Sequence, residues 1–532
     1  MQIQVRINEE GALRNQRYAF TDRFTLISEL LQNARRAGAT QIEVHYDAAS
    51  KVLQVKDDGR GIDDFQKLLS FNESGWDAST CADEQPFGIG FSKCLYAASR
   101  CIVASHRQRV DFDTGAALAQ TPIEVMQTAP TDTVAGTRIE LHGVDLPDLG
   151  ARIETLCQGF PISVLFNGKA LERRFAQAHL ATLSSAVGAV HLVGTRDGRF
   201  RHGTMVFLQG FCVLNTGYTD LCQVNVVHLD SRQFVARLPD RDKLIDEDVQ
   251  RRRIESELKD CWRQILEVAK TQLTADRFVE QYYPAMRAWG HVDLLNDIDV
   301  LPRELCDAVV GYPIQDDAGN RDYVQHVTTA PTRGEIESAS VTLVDLDGVG
   351  EDNAARWMLA RAKGYLVFDW GGLHADHWAQ RHVRYQEDDA LEVEALSEQN
   401  RTALEGRWVW PTVILCDAVL IRLGSESVEI TGNGVYHDGS LYIAADETSG
   451  ESVRQASSFT DENDQFLESD LNADRDALAD LIRHLRSIDP VQTLDSLLQE
   501  LRLGKYPLLH GKAFHLSVGV GPDSGHSIEL VG

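Results

Sequence analysis

Glu29 and Asn33 stand four positions apart in the run Glu29, Leu30, Leu31, Gln32, Asn33. In a helix that spacing puts both side chains on one face. A carboxylate can orient and deprotonate a water, and an amide oxygen beside it can ligate a divalent cation. An isolated pair of this kind is more often a solvated helix face. Asp57 closes an apolar stretch and leads into Asp58, Gly59, Arg60 and Gly61. A carboxylate there can accept from the amino group of a nucleobase, and Gly59 and Gly61 let the backbone come close to it. A bare DxGxG is also common in ordinary turns. Gly88 and Gly90, in Phe87, Gly88, Ile89, Gly90, Phe91, come just before a helical stretch. Glycines there expose amide groups to phosphate at the favourable end of a helix dipole. Thr137, after Gly136, can bond to the same base edge or to Asp57.

The elements that must position these residues follow from periodicity. Residues 24–37 form a helix with Phe24, Ile27, Leu30, Leu31 and Ala34 on its apolar face, ended by Gly38. Gln41–Tyr46 and Val52–Lys56 alternate as strands around the polar stretch Asp47–Lys51. Residues 62–87 lack periodicity and contain Asn72, Gly75, Ser79 and Pro86, so a short helix plus a mobile loop is expected. Phe91–Ala98 reads as a helix, and Cys101–Ser105 and Thr137–Leu141 as strands. Helices mixed with strands of one sheet give an α/β sandwich layer. Further on, Pro161–Phe166 and Met205–Leu208 read as strands, with a hairpin turn at Asn167–Gly168. Asp246–Leu273 is helical, with a stripe of Val249, Ile254, Leu258, Trp262, Ile265 and Leu266. Beyond 300, Ser340–Val344, Tyr365–Asp369, Trp408–Leu415, Val419–Leu423 and Leu441–Ala444 read as strands, and Ala477–Leu485 and Val491–Leu501 as helices. The acid-rich Asp461–Asp480 is read as a solvated face or linker.

A chain of 532 residues is too long for one core. Its 43% hydrophobic and 25% charged content is that of an ordinary globular protein. The net charge of −28 and pI near 5.0 argue against a broad phosphate-binding surface. No long apolar run predicts a membrane helix, and Met1–Ile7 alternates like a strand rather than opening a signal peptide. Nine scattered cysteines without CxxC pairs fit a reduced, cytoplasmic setting. His374, Asp376, His377 and His382 lack good ligand spacing, and a solvated or partly buried histidine group is expected there.

In this order and at these spacings, the four groups resemble the nucleotide site of the GHKL ATPases. That superfamily holds gyrase B, the ninety-kilodalton heat-shock chaperones, the histidine kinases and MutL, with the MORC proteins close by. The resemblance covers about residues 20–145. It implies a Bergerat-type ATP-binding α/β sandwich over 1–149, a transducer-like α/β domain over 150–290, and a mixed C-terminal specificity region over 291–532. It implies ATP and Mg²⁺, with Glu29 as general base, Asn33 as Mg²⁺ ligand, and Asp57 as adenine anchor beside Gly59, Gly61 and Thr137. Gly88 and Gly90 then flank the triphosphate, and residues 66–87 form a lid. In relatives a transducer lysine or arginine reaches the γ-phosphate, and Arg237, Arg241 and Lys243 are the candidates here. One departure is Arg36, where many relatives carry Asp three residues after the Asn. The glycine loop and the Gly136–Ile139 strand look most like the heat-shock chaperones, and Asn33–Ala39 looks more like MutL.

The implied function is an ATP-operated conformational machine, a clamp of chaperone-like or MutL/MORC-like type that dimerises when ATP closes the lid. Its client is a protein or a nucleic acid, and the acidic charge favours a protein. A histidine kinase is not expected, because its phosphoacceptor helix precedes the Glu–Asn helix and only 28 residues precede Glu29 here. A type II topoisomerase needs a cleavage partner. The alternative is an ATP-binding scaffold or sensor with incidental turnover, in DNA repair or phage defence.

Overall fold

The computed structural model describes residues 3–4, 8–16, 18, 23–71, 73, 75–84, 86, 88, 90–217, 223–237, 241–314, 322–346, 353–385, 390–458, 467–521 and 525–531. The chain divides into two compact units, Met1–Leu294 and Leu295–Gly532.

The first unit opens with helices α1 (Glu9–Gln16) and α2 (Thr25–Arg36), followed by strands β1 (Gln41–Asp47) and β2 (Val52–Asp57). Helices α3 (Ala78–Glu84) and α4 (Ser92–Ala97) come next. Then follow β3 (Arg100–His106), β4 (Gln108–Asp113), α5 (Thr114–Leu118), β5 (Met126–Gln127), β6 (Val134–His142), α6 (Leu149–Leu156), β7 (Ser163–Phe166) and β8 (Lys169–Ala170). The eight strands form one sheet in the order β5-β4-β3-β6-β2-β1-β7-β8. Only the β1–β7 pair is parallel. In β1 the exposed Gln41, Glu43 and His45 alternate with the buried Ile42 and Val44. That period of two packs one sheet face against helices. Leu26, Leu30 and Leu31 of α2, Cys94 and Leu95 of α4 and Ile153 of α6 share a core with Ile42, Leu53 and Leu141. The sheet runs past the expected division at 149, because β7 pairs with the β1 edge and places Val164 opposite Ile42. The expected turn is present, with Asn167 and Gly168 both at positive φ. The expected strand at Cys101–Ser105 is β3, whereas β4 had no counterpart in the sequence, because it follows β3 after one residue with only Val110 and Phe112 facing inward.

A second sheet holds β9 (Leu183–Ser185), β10 (Gly188–His191), β11 (Thr204–Leu208), β12 (Phe211–Asn215) and β13 (Asn225–Leu229), in the order β12-β11-β13-β10-β9. Two helices follow, α7 (Glu247–Gln272) and α8 (Ala275–Trp289). Of the expected α7 stripe, Ile254, Leu258, Trp262 and Leu266 are buried, whereas Val249 in the first turn is exposed. The rings of Trp262 and Trp289 stack at 6.2 Å. Helix α8 was not anticipated, and Pro284 lies inside it. Its stripe of Phe278, Tyr282, Tyr283 and Met286 outweighs that one lost hydrogen bond.

The second unit begins with β14 (Cys306–Val309), β15 (Val324–His326), α9 (Arg333–Glu337), β16 (Leu343–Asp345), α10 (Ala354–Lys363), β17 (Leu366–Phe368) and β18 (Val383–Tyr385). It continues with β19 (Leu391–Leu396), β20 (Asn400–Ala403), β21 (Thr412–Leu415), β22 (Ala418–Leu423), β23 (Glu426–Ile430), β24 (Gly434–His437) and β25 (Ser440–Ile443). The sheets are β15-β14-β17-β16-β18, β19-β22-β23 and β20-β21-β25-β24. Helices α11 (Val453–Ser457), α12 (Glu468–Arg486) and α13 (Pro490–Glu500) precede a hairpin of β26 (Ala513–Val518) and β27 (His526–Val531). The chain is therefore a mixed α/β protein. No helix of the described residues is long and apolar enough to cross a membrane.

Two expectations change here. Residues 461–466 of the acid-rich run lie outside the described residues, but from Glu468 the run is helix α12 rather than linker. Its Asp474 is buried and accepts from the backbone N–H groups of Arg407 (2.5 Å), Trp408 (2.7 Å) and Val409 (3.0 Å). Three donors converging on one carboxylate make its burial tolerable. The expected Met1–Ile7 strand lies outside the described residues except for Ile3 and Gln4.

Asp474→Ala leaves those three N–H groups without their acceptor. A loss of at least about 2 kcal/mol is expected in urea unfolding, and an unchanged midpoint contradicts the anchoring role.

Candidate functional site

A cavity of about 380 Å³ in the first unit is walled by Glu29, Asn33, Asp57, Gly61, Gly88, Gly90 and Thr137. Seven of the eight residues singled out in the sequence thus meet in one place. The eighth, Gly59, acts from behind: its N–H donates to Asp57 Oδ1 at 2.9 Å.

Asp57 is the last residue of β2 and lies directly opposite Thr137 of β6. Gly136 permits that approach, since a Cβ on it would lie 2.2 Å from the Asp57 carbonyl oxygen. Burial raises the Asp57 carboxyl above its ordinary value, and the hydrogen bonds from Gly59 and Thr137 only partly oppose this. The turn after Asp57 is strapped down on two sides. The Arg60 N–H donates to the Ala37 carbonyl at the end of α2 at 2.9 Å. Ser105 of β3 accepts from the Ile62 N–H and donates to the Gly136 carbonyl, both at 2.8 Å. Gly61 has φ +78°, and a Cβ there would lie 2.6 Å from Ser105 Oγ.

Glu29 is almost fully buried in α2, with only 4% of its surface exposed. Its Oε1 lies 3.6 Å from Lys93 Nζ and 3.3 Å from Arg241 Nε. Among the described residues its Oε2 has no hydrogen-bond partner. Gly90 sits against that oxygen so closely that a Cβ would lie 2.3 Å away. The close approach of the carboxylate to the loop therefore depends on the absence of a side chain at position 90. Asn33 is half-buried one helical turn further on.

Arg241 is the one transducer candidate that reaches the cavity. Arg237 is exposed and faces Asp242 at 4.0 Å, and Lys243 is exposed. Arg36, the departure noted above, also lines the cavity. Burial pulls its guanidinium below the ordinary value, and the hydrogen bond to Glu84 opposes this. Its Nε lies 2.8 Å from Glu84 Oε2, which Arg35 also meets at 2.5 Å. Burial works against the Glu84 charge, yet the two arginines hold its carboxyl below the ordinary value. Glu84 ends α3, so this part of the expected lid is tied to α2. The same helix is tied to the second sheet region by Arg232–Asp83 at 2.9 Å and by Gln209 Nε2 to the Glu84 carbonyl at 3.3 Å.

Lys93, Ser105 and Glu84 were not found in the sequence. Lys93 had a usable signal, a lysine three residues past Gly90 at a helix start, but Ser105 and Glu84 are ordinary surface-type residues until the fold assembles. The histidine group expected to be solvated or partly buried includes one fully buried member. His377 is buried, its Nδ1 accepts from the Ala379 N–H at 3.1 Å, and burial pushes its imidazole down to about 4. Among the described residues no group of three or more His, Cys, Asp or Glu is placed to hold a metal.

Residues 22–134 match the family model of the histidine kinase-, DNA gyrase B- and HSP90-like ATPases. No curated protein matches the chain. Among solved structures, the ATPase region of Saccharomyces cerevisiae topoisomerase II bound to ICRF-187 (dexrazoxane) is similar at 16% identity and a TM-score of 0.26. That match covers 36% of this chain and 62% of the other.

Because its folded-state carboxyl is raised, Asp57 costs the ligand-free protein stability as pH climbs from the unfolded value of about 3.9 through the folded one. Asp57→Asn is expected to be as stable as the wild type or more so at pH 7, with the gap closing below about pH 4. Thermal unfolding across pH checks this, and a variant clearly less stable at pH 7 contradicts it.

Proposed function

From the match of residues 22–134 to the family model of histidine kinase-, DNA gyrase B- and HSP90-like ATPases, we propose that the first unit binds ATP with Mg²⁺ and hydrolyses it. The observation that carries this is the meeting of Glu29, Asn33, Asp57, Thr137 and the two loop glycines around one cavity. Asp57 accepts from the adenine amino group, with Thr137 beside it. Gly88 and Gly90 let the backbone approach the phosphates. Asn33 would give its amide oxygen to Mg²⁺, which takes oxygen ligands and keeps several waters. There the metal would supply charge neutralisation for the phosphate oxygens. Glu29 orients the attacking water and takes its proton as the bond from the γ-phosphorus to the β–γ bridging oxygen breaks. Arg241 meets the γ-phosphate, and its place in the chain after the second sheet makes it the link between nucleotide state and the rest of the unit.

The larger reading is a clamp in which ATP closes residues 66–87 and brings two copies together, with 1–149 as nucleotide domain, 150–290 as transducer and 291–532 as the part that meets a client. The ties from α3 to Arg232 and Gln209 support it, since they join the lid segment to the transducer region. The excess of acidic residues favours a protein client over nucleic acid.

Glu29→Ala should bind ATP normally but hydrolyse it about 10²–10⁴-fold more slowly in a steady-state phosphate-release assay. Turnover near the wild-type rate contradicts the role of Glu29. In light scattering the same variant is expected to double in mass when ATP is added, and a mass independent of nucleotide contradicts the clamp.

A further inference from the structure

The Glu29 carboxylate has two cations on the same oxygen, and they differ in how they are held. Arg241 comes from the segment after the second sheet, lines the cavity, and is within reach of whatever enters it. Lys93 does not line the cavity. It stands in α4, is 3% exposed, and meets Glu29 Oε1 at 3.6 Å. Other ionisable groups near Glu29 include Arg36 on its own helix and the buried Cys94 thiol of α4. A buried carboxylate without a compensating cation is strongly unfavourable. A γ-phosphate competes with Glu29 for Arg241, and Arg241 cannot neutralise both fully.

We propose that Lys93 is a positioning residue for the base: its ammonium stays on Glu29 Oε1 when Arg241 engages phosphate, holding the carboxylate in place against Gly90. This rests on the reading of Glu29 as the base. The division of labour explains why a lysine, whose aliphatic stem suits burial among α4 neighbours, lies at a point that touches neither cavity nor solvent. It also separates binding from chemistry, because Lys93 meets no part of the nucleotide cavity.

The test uses the full-length protein with Lys93→Met, Lys93→Arg, Glu29→Gln and the double variant Lys93→Met/Glu29→Gln. Lys93→Met should lose at least about tenfold in kcat while KM and ATP affinity stay within about twofold, the pattern of a group acting only on the chemical step. Lys93→Arg, which keeps the cation, should retain most of the activity. In thermal unfolding without nucleotide, where Arg241 still faces Glu29, the losses in Lys93→Met, Glu29→Gln and the double variant should be non-additive, because Lys93 and Glu29 meet directly. If Lys93→Met does not fold, Lys93→Gln takes its place against Lys93→Arg. Unchanged kcat in Lys93→Met, a parallel loss of ATP affinity, failure of Lys93→Arg to preserve activity, or additive stability losses each overturn the proposal. Normal turnover in Glu29→Gln instead overturns the reading of the base. A dead Glu29→Gln beside a fully active Lys93→Met overturns the role of Lys93 alone.

Discussion

A carboxylate buried inside a helix dictates how the site is assembled. Glu29 lies under the surface of the first unit, and an isolated charge there would cost several kcal/mol. The cost is offset because two separate stretches of chain deliver a cation to it, Lys93 from the helix after the glycine loop and Arg241 from beyond the second sheet. The requirement for Gly90 follows from the same carboxylate, since any side chain there would strike Oε2. One helix, one glycine loop and one distant arginine are therefore fixed relative to each other by a single charge.

The opposite wall of the cavity depends on a steric condition. Strand β6 comes close enough to β2 to place Thr137 opposite Asp57 only because residue 136 has no side chain. Ser105 then ties the turn after Asp57 to the Gly136 carbonyl, so three strands and the end of α2 hold one carboxyl in place. That carboxyl is raised by burial in the ligand-free protein. A polar donor arriving from a ligand would relieve a group that gains little from the protein alone, as expected of a residue kept for binding rather than for stability.

The parts of this arrangement that were legible in the sequence are those set by local spacing. The helix with Glu29 and Asn33, the strands ending at Asp57 and running through Thr137, the short helix after Gly90 and the long helix α7 all follow from apolar periodicity and glycine punctuation. Among the site residues, types at fixed offsets were enough to nominate eight positions. What sequence did not show is set by tertiary contact. Lys93 and Ser105 matter through what the fold brings beside them, and Arg241 separates from Arg237 and Lys243 only by where its side chain ends up. Burial of Asp474 within an acid-rich run was hidden for the same reason, because its three backbone donors come from residues 407–409. Helix α8 was masked by its internal proline. Short strands of four residues or fewer in the second unit carry too little periodicity to fix their boundaries.

The central claim is that the cavity around Asp57 and Glu29 is an adenine nucleotide site. Isothermal titration calorimetry of the full-length protein with ATP and with GTP, each with Mg²⁺, tests it most directly. A buried carboxylate that accepts from an exocyclic amino group favours adenine, whereas guanine presents a carbonyl oxygen at the corresponding position and leaves two acceptors facing each other. Saturable binding of ATP at one site per chain, with GTP at least about 100-fold weaker, is the result expected. No heat with ATP, or equal affinity for the two nucleotides, would contradict the account.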